Sequence, residues 1–203
     1  LMVAKRRSAL RMLHELQRDN RIRKRYLALV AGDWPHNRMT VDVPLRKNTL
    51  RGGERIVQAD PEGKQALTLF RIKEQFSDSM LVEAELKSGR THQIRVHLAH
   101  LRHAVFGDPV YGGRLRLPAG ASDSLKRVLR GFKRQALHAK RLEFAHPVSG
   151  KPMRFSCAIP KDMRAVIDAL ATDADVHWQD PDVDELSGFD ELDGNDDYGA
   201  GFD

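Results

Sequence analysis

Alternation of apolar and polar residues marks several strands in the first half of the chain. Both faces of residues 25–32 are apolar, which predicts a strand that is buried on both sides. A second strand is expected over 39–45, where Pro44 closes it. Residues 66–76 and 79–88 alternate again, with two residues between them, and this spacing predicts a hairpin.

Helical spacing of apolar residues appears at two places. Ser8 is a suitable N-cap for a helix over 8–19, in which Leu10, Leu13 and Leu16 share one side. A second helix is expected over 124–141. Its inward residues are Leu125, Val128 and Leu129, and its outward residues are Lys126, Arg127, Arg130, Lys133 and Arg134.

Residues 46–64 are rich in turn formers, and Gly52-Gly53 suits the tip of a hairpin. Strands that follow one another with few helices between them favour an α+β fold around a largely antiparallel sheet.

The motif GRTHQIRVH follows the last strand of this run. Gly89 provides a turn, Thr91 is a suitable N-cap, and Ile94, Leu98 and Leu101 then fall at helical spacing. A strand, a glycine turn and a helix start in this order present free backbone N–H groups to an anion.

Charge is distributed unevenly along the chain. The 203 residues contain 34 Lys and Arg and 28 Asp and Glu, and residues 171–203 hold 12 of the acids and no Lys or Arg. Residues 1–170 therefore carry 34 basic against 28 − 12 = 16 acidic groups, a net of +18. A surface this basic favours a polyanion such as RNA or DNA, although a basic solvated surface is the alternative.

The remaining totals point to a soluble protein of a reducing compartment. Cys157 is the one cysteine, so no internal disulfide can form and we expect a cytoplasmic location. No run of 18 apolar residues encodes a membrane span. We expect one domain over 1–170 and a disordered acidic tail over 171–203, because the tail lacks apolar periodicity.

Three chemistries could explain GRTHQIRVH. A metal site would use His92, His97, His100 and His103, but no nearby Cys, Asp or Glu completes a ligand set, so we expect no metal. A nucleic-acid contact gains from Arg90, Arg95, Arg102 and the basic helix, whose alternative is an ordinary solvated face. A catalytic arginine at the helix start is the third possibility.

Four segments in order decide among them: RKRYLALV, GRTHQIRVH, GDPVYGG and RQALHAKRLEFAHPVSG. Together they resemble the pseudouridine synthases that modify large-subunit ribosomal RNA, and the resemblance runs from residue 1 to about residue 170. It implies the pseudouridine synthase fold, a mixed, largely antiparallel sheet with flanking helices. It also implies isomerisation of uridine in RNA without a cofactor.

The resemblance further implies a catalytic Asp in a His-Arg-Leu-Asp motif, and no such motif occurs in this chain. In the family the motif is followed by a strand similar to the opening LMVAK, so we expect the Asp to lie shortly before Leu1. The chain alone is then expected to be inactive, with Arg95 left as a pocket cation without its carboxylate partner.

The resemblance also assigns roles to residues that are present. Tyr26 matches the tyrosine that stacks on the target base and handles a proton, and Arg95 matches the arginine that pairs with the catalytic Asp. Ile94 matches an apolar pocket position, with ordinary core packing as the alternative. His92 and Gln93 could contact RNA or cap the helix, and we place Arg90 and Arg102 in the RNA-binding set.

The expected partner is RNA, most naturally large-subunit ribosomal RNA, bound by a monomer that does not associate with membranes. A non-catalytic RNA-binding protein is the alternative from another class. It would explain the charge and the missing Asp motif, but not the joint occurrence of the Tyr26 and Arg95 motifs.

Overall fold

A six-stranded antiparallel sheet forms the centre of the computed structural model, which describes residues 2–49, 55–112, 117–118 and 120–180. The helices are α1 (Arg7–Arg18), α2 (Gln93–His100), α3 (Asp123–Gly131) and α4 (Lys161–Asp173). The strands are β1 (Arg23–Ala31), β2 (Arg38–Asp42), β3 (Leu45–Thr49), β4 (Arg55–Ala59), β5 (Leu67–Phe76), β6 (Ser79–Leu86), β7 (Leu137–Ala145) and β8 (Pro152–Ser156). The predicted α+β class is confirmed.

The strand order in the large sheet is β2-β5-β6-β1-β7-β8. β5 and β6 form the predicted hairpin, and β1 lies between β6 and β7 at the middle of the sheet. This central position explains why both faces of β1 are apolar: Leu27, Ala28, Leu29 and Val30 are all fully buried.

Tyr26 and helix α2 lie on the same side of the sheet. Tyr26 is opposite Ala84, and Ala84 is opposite Phe70, so their side chains share one face. Thr68 lies two residues before Phe70 on that face, and its hydroxyl is 2.9 Å from Nδ1 of His97 in α2. Helix α2 therefore covers part of the surface toward which Tyr26 points.

β3 and β4 form a separate two-stranded sheet, as the turn-rich segment suggested. The predicted tip at Gly52-Gly53 lies outside the described residues. A small hydrophobic cluster joins the hairpin to α2, and its members are Leu45, Val57, Ala66 and Val96.

The predicted helix over 124–141 is too long. Helix α3 ends at Gly131, and β7 begins at Leu137. Lys140 and Arg141, at the end of the predicted helix, lie in β7 instead, and each is only 3% exposed within the sheet. Ion pairs make this burial possible, since Lys140 contacts Asp180 and Arg141 contacts Glu143.

The start of α2 also differs from the prediction. The N-cap is His92 rather than Thr91, and its backbone has a left-handed φ of +54° with no hydrogen bond from its side chain to the helix. Arg102, just after the same helix, is left-handed too, at φ +66°. Residues other than glycine, asparagine and aspartate rarely adopt this conformation.

The ordered region extends past the boundary predicted at residue 170. α4 continues to Asp173, and the N–H of Val176 then donates to the carbonyl of Ala171. Trp178 packs against the main core, and the guanidinium of Arg164 lies 5.1 Å from the centre of its ring. Predicted disorder is therefore wrong for 171–180, because lack of periodicity concealed one aromatic anchor, while 181–203 lie outside the described residues.

Candidate functional site

An apolar cleft of about 890 Å³ adjoins Tyr26, and we call it the Tyr26 cleft. Its apolar side chains include Val3, Leu13, Ala139, Leu142, Phe144, Val148 and Phe155. The basic residues that line it are Lys5, Arg6, Lys24, Lys140, Arg141 and His146. No Asp or Glu is found among the described residues that line this cleft. Lys140 and Arg141 are ion-paired with Asp180 and Glu143, whereas for Lys5, Arg6 and Lys24 no ion pair is formed among the described residues. An apolar cavity with such basic groups at its wall suits a planar base that carries a phosphate.

Tyr26 reaches the cleft from the middle of β1. Its ring is half-buried, and burial raises the pKa of its phenol, so the hydroxyl stays protonated at neutral pH. Among the described residues, no group accepts or donates a hydrogen bond to that hydroxyl. The hydroxyl is therefore available to a molecule in the cleft.

Arg95 forms a two-point contact with Asp108. Its Nε donates to Oδ2 and its Nη2 donates to Oδ1, each at 2.7 Å. Both residues are buried, and the Asp108 side chain is fully enclosed. The expectation that Arg95 would lack a carboxylate partner is thus wrong for this structure, because the sequence separation of 13 residues is closed by the turn after α2.

Asp108 is itself held by its own loop. Oδ1 accepts the N–H of Val110 at 2.9 Å and the N–H of Tyr111 at 3.1 Å. Burial alone would raise the pKa of Asp108, but the hydrogen bonds from Arg95 and from these N–H groups together lower it. The carboxylate is therefore ionised at neutral pH, and the same pairing raises the pKa of Arg95.

Tyr111 extends this arrangement to the β3–β4 hairpin. The Arg95 guanidinium lies 4.8 Å from the centre of the Tyr111 ring, within the range of a cation–π contact. The Tyr111 hydroxyl accepts the N–H of Val57 at 3.0 Å and lies 3.0 Å from Nδ1 of His92. Helix start, loop and hairpin are fixed together around one arginine.

Gln93 is 2% exposed and all its polar contacts are internal. Its amide donates to the Leu67 carbonyl and to Thr68, and its oxygen accepts from the Arg90 N–H and the Ser88 hydroxyl. These contacts join the start of α2 to β5 and to the preceding turn, and the choice between RNA contact and a capping role for Gln93 stays a prediction.

Ile94 is 4% exposed and belongs to the main core. It is not among the residues that line the Tyr26 cleft. Ile94 and Gln93 are thus both buried in this structure, and their predicted contacts with the target base or with RNA stay predictions.

The other predicted RNA-binding residues lie at the surface around α2. Arg90 and Arg102 are exposed, and the Nε of Arg90 donates to the Gln65 carbonyl at 2.9 Å. His92 is half-buried, and burial, with the nearby Arg95 as the second cause, lowers the pKa of its ring. RNA contact by these three residues stays a prediction.

Within the described part of the chain, no group of three or more His, Cys, Asp or Glu residues is arranged to hold a metal ion. None of the described helices is long and apolar enough to span a membrane.

Among the described residues no hydrogen bond or ring contact joins Tyr26 to Arg95, and Arg95 is not among the lining residues of the Tyr26 cleft. Lys24 lies between the Tyr26 cleft and the start of α2. It lines the cleft two residues before Tyr26. A Cβ placed on Gly89, in the turn that leads to α2, would lie only 3.8 Å from its Nζ. A single pocket for Tyr26 and Arg95 stays a prediction.

Comparison with known proteins places this site in context. A model of the RNA pseudouridylate synthase family matches residues 1–100. Ribosomal large subunit pseudouridine synthase D of Xanthomonas campestris pv. campestris is 46% identical over 153 residues, which cover 75% of this chain and 45% of that protein. The chain belongs to the RNA pseudouridylate synthase family. The family resemblance inferred from four sequence motifs is confirmed.

A further relative agrees with this family in sequence, and a solved structure agrees with it in fold. Ribosomal large subunit pseudouridine synthase C of Salmonella typhi is 41% identical over 174 residues, 86% of this chain and 53% of that protein. The structure of human RNA pseudouridylate synthase domain containing 1 superposes with a TM-score of 0.67 and 22% identity, over 92% of this chain and 73% of that one. The predicted pseudouridine synthase fold is confirmed. This chain spans about half the length of the curated relatives it matches.

Sequence reasoning missed Asp108 and Tyr111 as members of the site. Both lie in GDPVYGG, a segment that helped to indicate the pseudouridine synthases but received no role. The one signal in the sequence was Asp108 directly after Gly107. The sequence does not show that this aspartate forms an ion pair with an arginine of the preceding helix.

Proposed function

We propose that the protein is a pseudouridine synthase that isomerises uridine to pseudouridine in RNA, with large-subunit ribosomal RNA as its substrate. The observation that carries the proposal is the Tyr26 cleft, an apolar cavity lined by six basic residues, in which the Tyr26 phenol has no hydrogen-bond partner among the described residues. The names of the curated relatives support the choice of ribosomal RNA.

Charge supports an RNA substrate. The net charge of +18 on residues 1–170 favours binding to phosphates, and the cleft carries basic groups where an RNA strand would enter. A uridine in a helix hides its reacting atoms, so the cleft would take a nucleotide that has been turned out of its stack.

Roles at the site follow from the chemistry of the residues present. Tyr26 would stack on the target base and exchange a proton at the reacting carbon through its neutral hydroxyl. Arg95 would stabilise the anionic group that starts the reaction, since its guanidinium is permanently charged and fixed in direction. We infer no cofactor and no metal for these steps.

The carboxylate that starts the reaction is proposed to come from residues outside this 203-residue sequence. No acidic residue lines the described cleft, and no His-Arg-Leu-Asp occurs in the chain. Asp108 is a poor substitute, because its side chain is fully enclosed and both its oxygens accept hydrogen bonds from the protein.

The same lack of a carboxylate in the cleft favours one alternative, a protein that binds RNA without modifying it. We further propose that the protein acts as a monomer in the cytoplasm.

Conversion of uridine in unmodified large-subunit ribosomal RNA tests the proposal. Protein expressed from its complete coding sequence is expected to form pseudouridine at a defined position and to leave an unrelated RNA of equal length unchanged. Tight binding without any pseudouridine would favour the non-catalytic alternative. Absence of both binding and conversion would contradict the assignment of RNA as substrate.

A further inference from the structure

We propose that Asp108 is a positioning residue for Arg95: it holds the Nε–Nη2 edge of the guanidinium so that Nη1 is directed to the reacting groups. The inference rests on the proposed function, which makes Arg95 part of the reaction. Asp108 would act through Arg95 and would not touch the RNA itself.

The geometry of the pair supports a directing role. Two parallel hydrogen bonds of 2.7 Å fix the plane of the guanidinium as well as its position. Nη1, the nitrogen not used in this contact, has no hydrogen-bond partner among the described residues. An arginine that is already held in one orientation loses little side-chain entropy when it meets a second anion.

Hydrogen bonds from its own loop fix the orientation of the Asp108 carboxylate. Two backbone N–H groups of its own loop hold Oδ1, so the carboxylate cannot rotate without breaking them. The Tyr111 ring lies beside the guanidinium, and the Tyr111 hydroxyl is anchored to the N–H of Val57 and to His92. Such an arrangement is expected where a charged group must be placed within a fraction of an ångström.

The backbone conformation of His92, next to the Arg95–Asp108 pair, also points to a functional role for this region. Its backbone is left-handed although it is not glycine, and its ring meets Tyr111 edge to face at 5.6 Å. Strained backbone of this kind persists only where surrounding contacts hold it, which is common at working sites.

A second Arg–Asp pair in the same protein provides a matched control. Arg134 donates to Asp162 through Nε and Nη2, again at 2.7 Å each, and it also lies against an aromatic ring, 5.2 Å from the centre of Phe132. This pair is at the surface, with side chains 40% and 51% exposed, and neither residue lines the Tyr26 cleft. The two pairs share their chemistry and differ in location.

Asp108→Asn changes the pair with little disturbance of the loop. The amide oxygen can still accept the N–H groups of Val110 and Tyr111, whereas the amide nitrogen replaces Oδ2 and cannot accept from Arg95 Nε. The equivalent control is Asp162→Asn. Arg95→Ala completes a double-mutant cycle, because a residue that acts only through Arg95 has nothing to do once that side chain is removed.

The experiment measures kcat and KM for pseudouridine formation, RNA affinity and Tm in protein from the complete coding sequence. Asp108→Asn is expected to lower kcat by about 10–100-fold, the scale of a small misplacement at a site, with KM and RNA affinity within about twofold. Asp162→Asn should leave kcat unchanged. In the Arg95→Ala background, Asp108→Asn should have little further effect on kcat.

Several results would overturn the inference. An unchanged kcat in Asp108→Asn would show that Arg95 needs no such partner. A parallel loss of kcat, affinity and Tm would make Asp108 a structural residue only. Full additivity with Arg95→Ala would show that it acts by another route. Wild-type protein without activity would instead contradict the proposed function.

If Asp108→Asn does not fold, Tyr111→Phe takes its place, because this variant keeps the ring and removes the anchoring hydroxyl. An unchanged kcat in Tyr111→Phe would also count against the inference.

Discussion

Lys140 and Asp180 form an ion pair of 3.2 Å, although Lys140 is only 3% exposed. Asp180 also accepts from Arg164 at 3.1 Å, and Arg164 in turn lies over the ring of Trp178. The first residues after α4 therefore neutralise a buried lysine of the central sheet. Within the acidic C-terminal segment, the residues up to Asp180 therefore pack against the body of the protein, and residues 181–203 lie outside the described residues.

Truncation should separate the two parts. A chain that ends at Asp180 is expected to keep its Tm within about 1 °C, whereas one that ends at Asp173 loses Trp178 and the partner of Lys140. That loss should cost about 2 kcal/mol or more, or roughly 4–8 °C in Tm for a chain of this size. Thermal unfolding of both chains checks this, with Asp180→Asn in the intact chain as a control for the ion pair. Equal Tm values for the two truncated chains would show that the docking contributes nothing.

Arg102→Gly should stabilise the protein. Arg102 is exposed and follows α2 in the left-handed region, at φ +66°, where glycine avoids the steric cost of a side chain. A gain of about 1 kcal/mol in the free energy of unfolding is expected, measured by urea denaturation. Arg102→Ala removes the same charge but keeps a Cβ, so it should give no such gain. Equal effects of Gly and Ala would assign the change to charge and not to the backbone.

Prediction from sequence worked where the environment of a segment is uniform. β1 was predicted because both of its faces are apolar, as burial on both sides of the sheet requires, and the β5–β6 hairpin was predicted from the alternation of its two strands. The start of β7 was predicted as helix because it continues the basic segment 124–141. The ion-pair partners that allow its Lys140 and Arg141 to be buried, Asp180 and Glu143, are seen only in the fold.

The candidate site, too, could be predicted from the sequence only in part. Tyr26 and Arg95 could be predicted as site residues because the motifs around them match a family, and their roles stay a prediction. The pairing of Arg95 with Asp108 was not found, because it depends on how the loop after α2 turns back toward the helix.

RNA binding by this chain should depend steeply on salt. Each phosphate of a single strand that a basic side chain neutralises contributes about −0.7 to the slope of log affinity against log salt. Lys24 lines the Tyr26 cleft and burial lowers its pKa, so it is expected to contact a phosphate rather than remain half-buried without a partner. Lys24→Gln should make the slope shallower by about 0.7, whereas Lys161→Gln, outside the cleft, should not.

Binding curves at several salt concentrations give both slopes. Affinity that is independent of salt would argue against recognition of phosphates. Equal slopes for wild type and Lys24→Gln, with binding intact, would place the RNA elsewhere on the protein.

Tyr26→Phe should separate binding from chemistry in protein from the complete coding sequence. The ring and its stacking surface remain, but the hydroxyl that burial keeps protonated is lost. Turnover should fall by about 10²–10⁴-fold, the usual contribution of a placed proton donor or acceptor, while RNA affinity stays near that of wild type. Rate constants under single-turnover conditions and binding curves measure the two quantities. A rate equal to wild type would show that the hydroxyl takes no part.

Under the proposed function, residues 1–203 supply the cleft, Tyr26 and Arg95 of a pseudouridine synthase but not the carboxylate that starts the reaction. The most direct test compares pseudouridine formation in unmodified large-subunit ribosomal RNA by this chain and by protein from the complete coding sequence. We expect the 203-residue chain to bind the RNA and form no pseudouridine, and the complete protein to form it at a defined position. Robust turnover by the 203-residue chain alone would contradict the claim, because the initiating carboxylate would then have to be among its own residues.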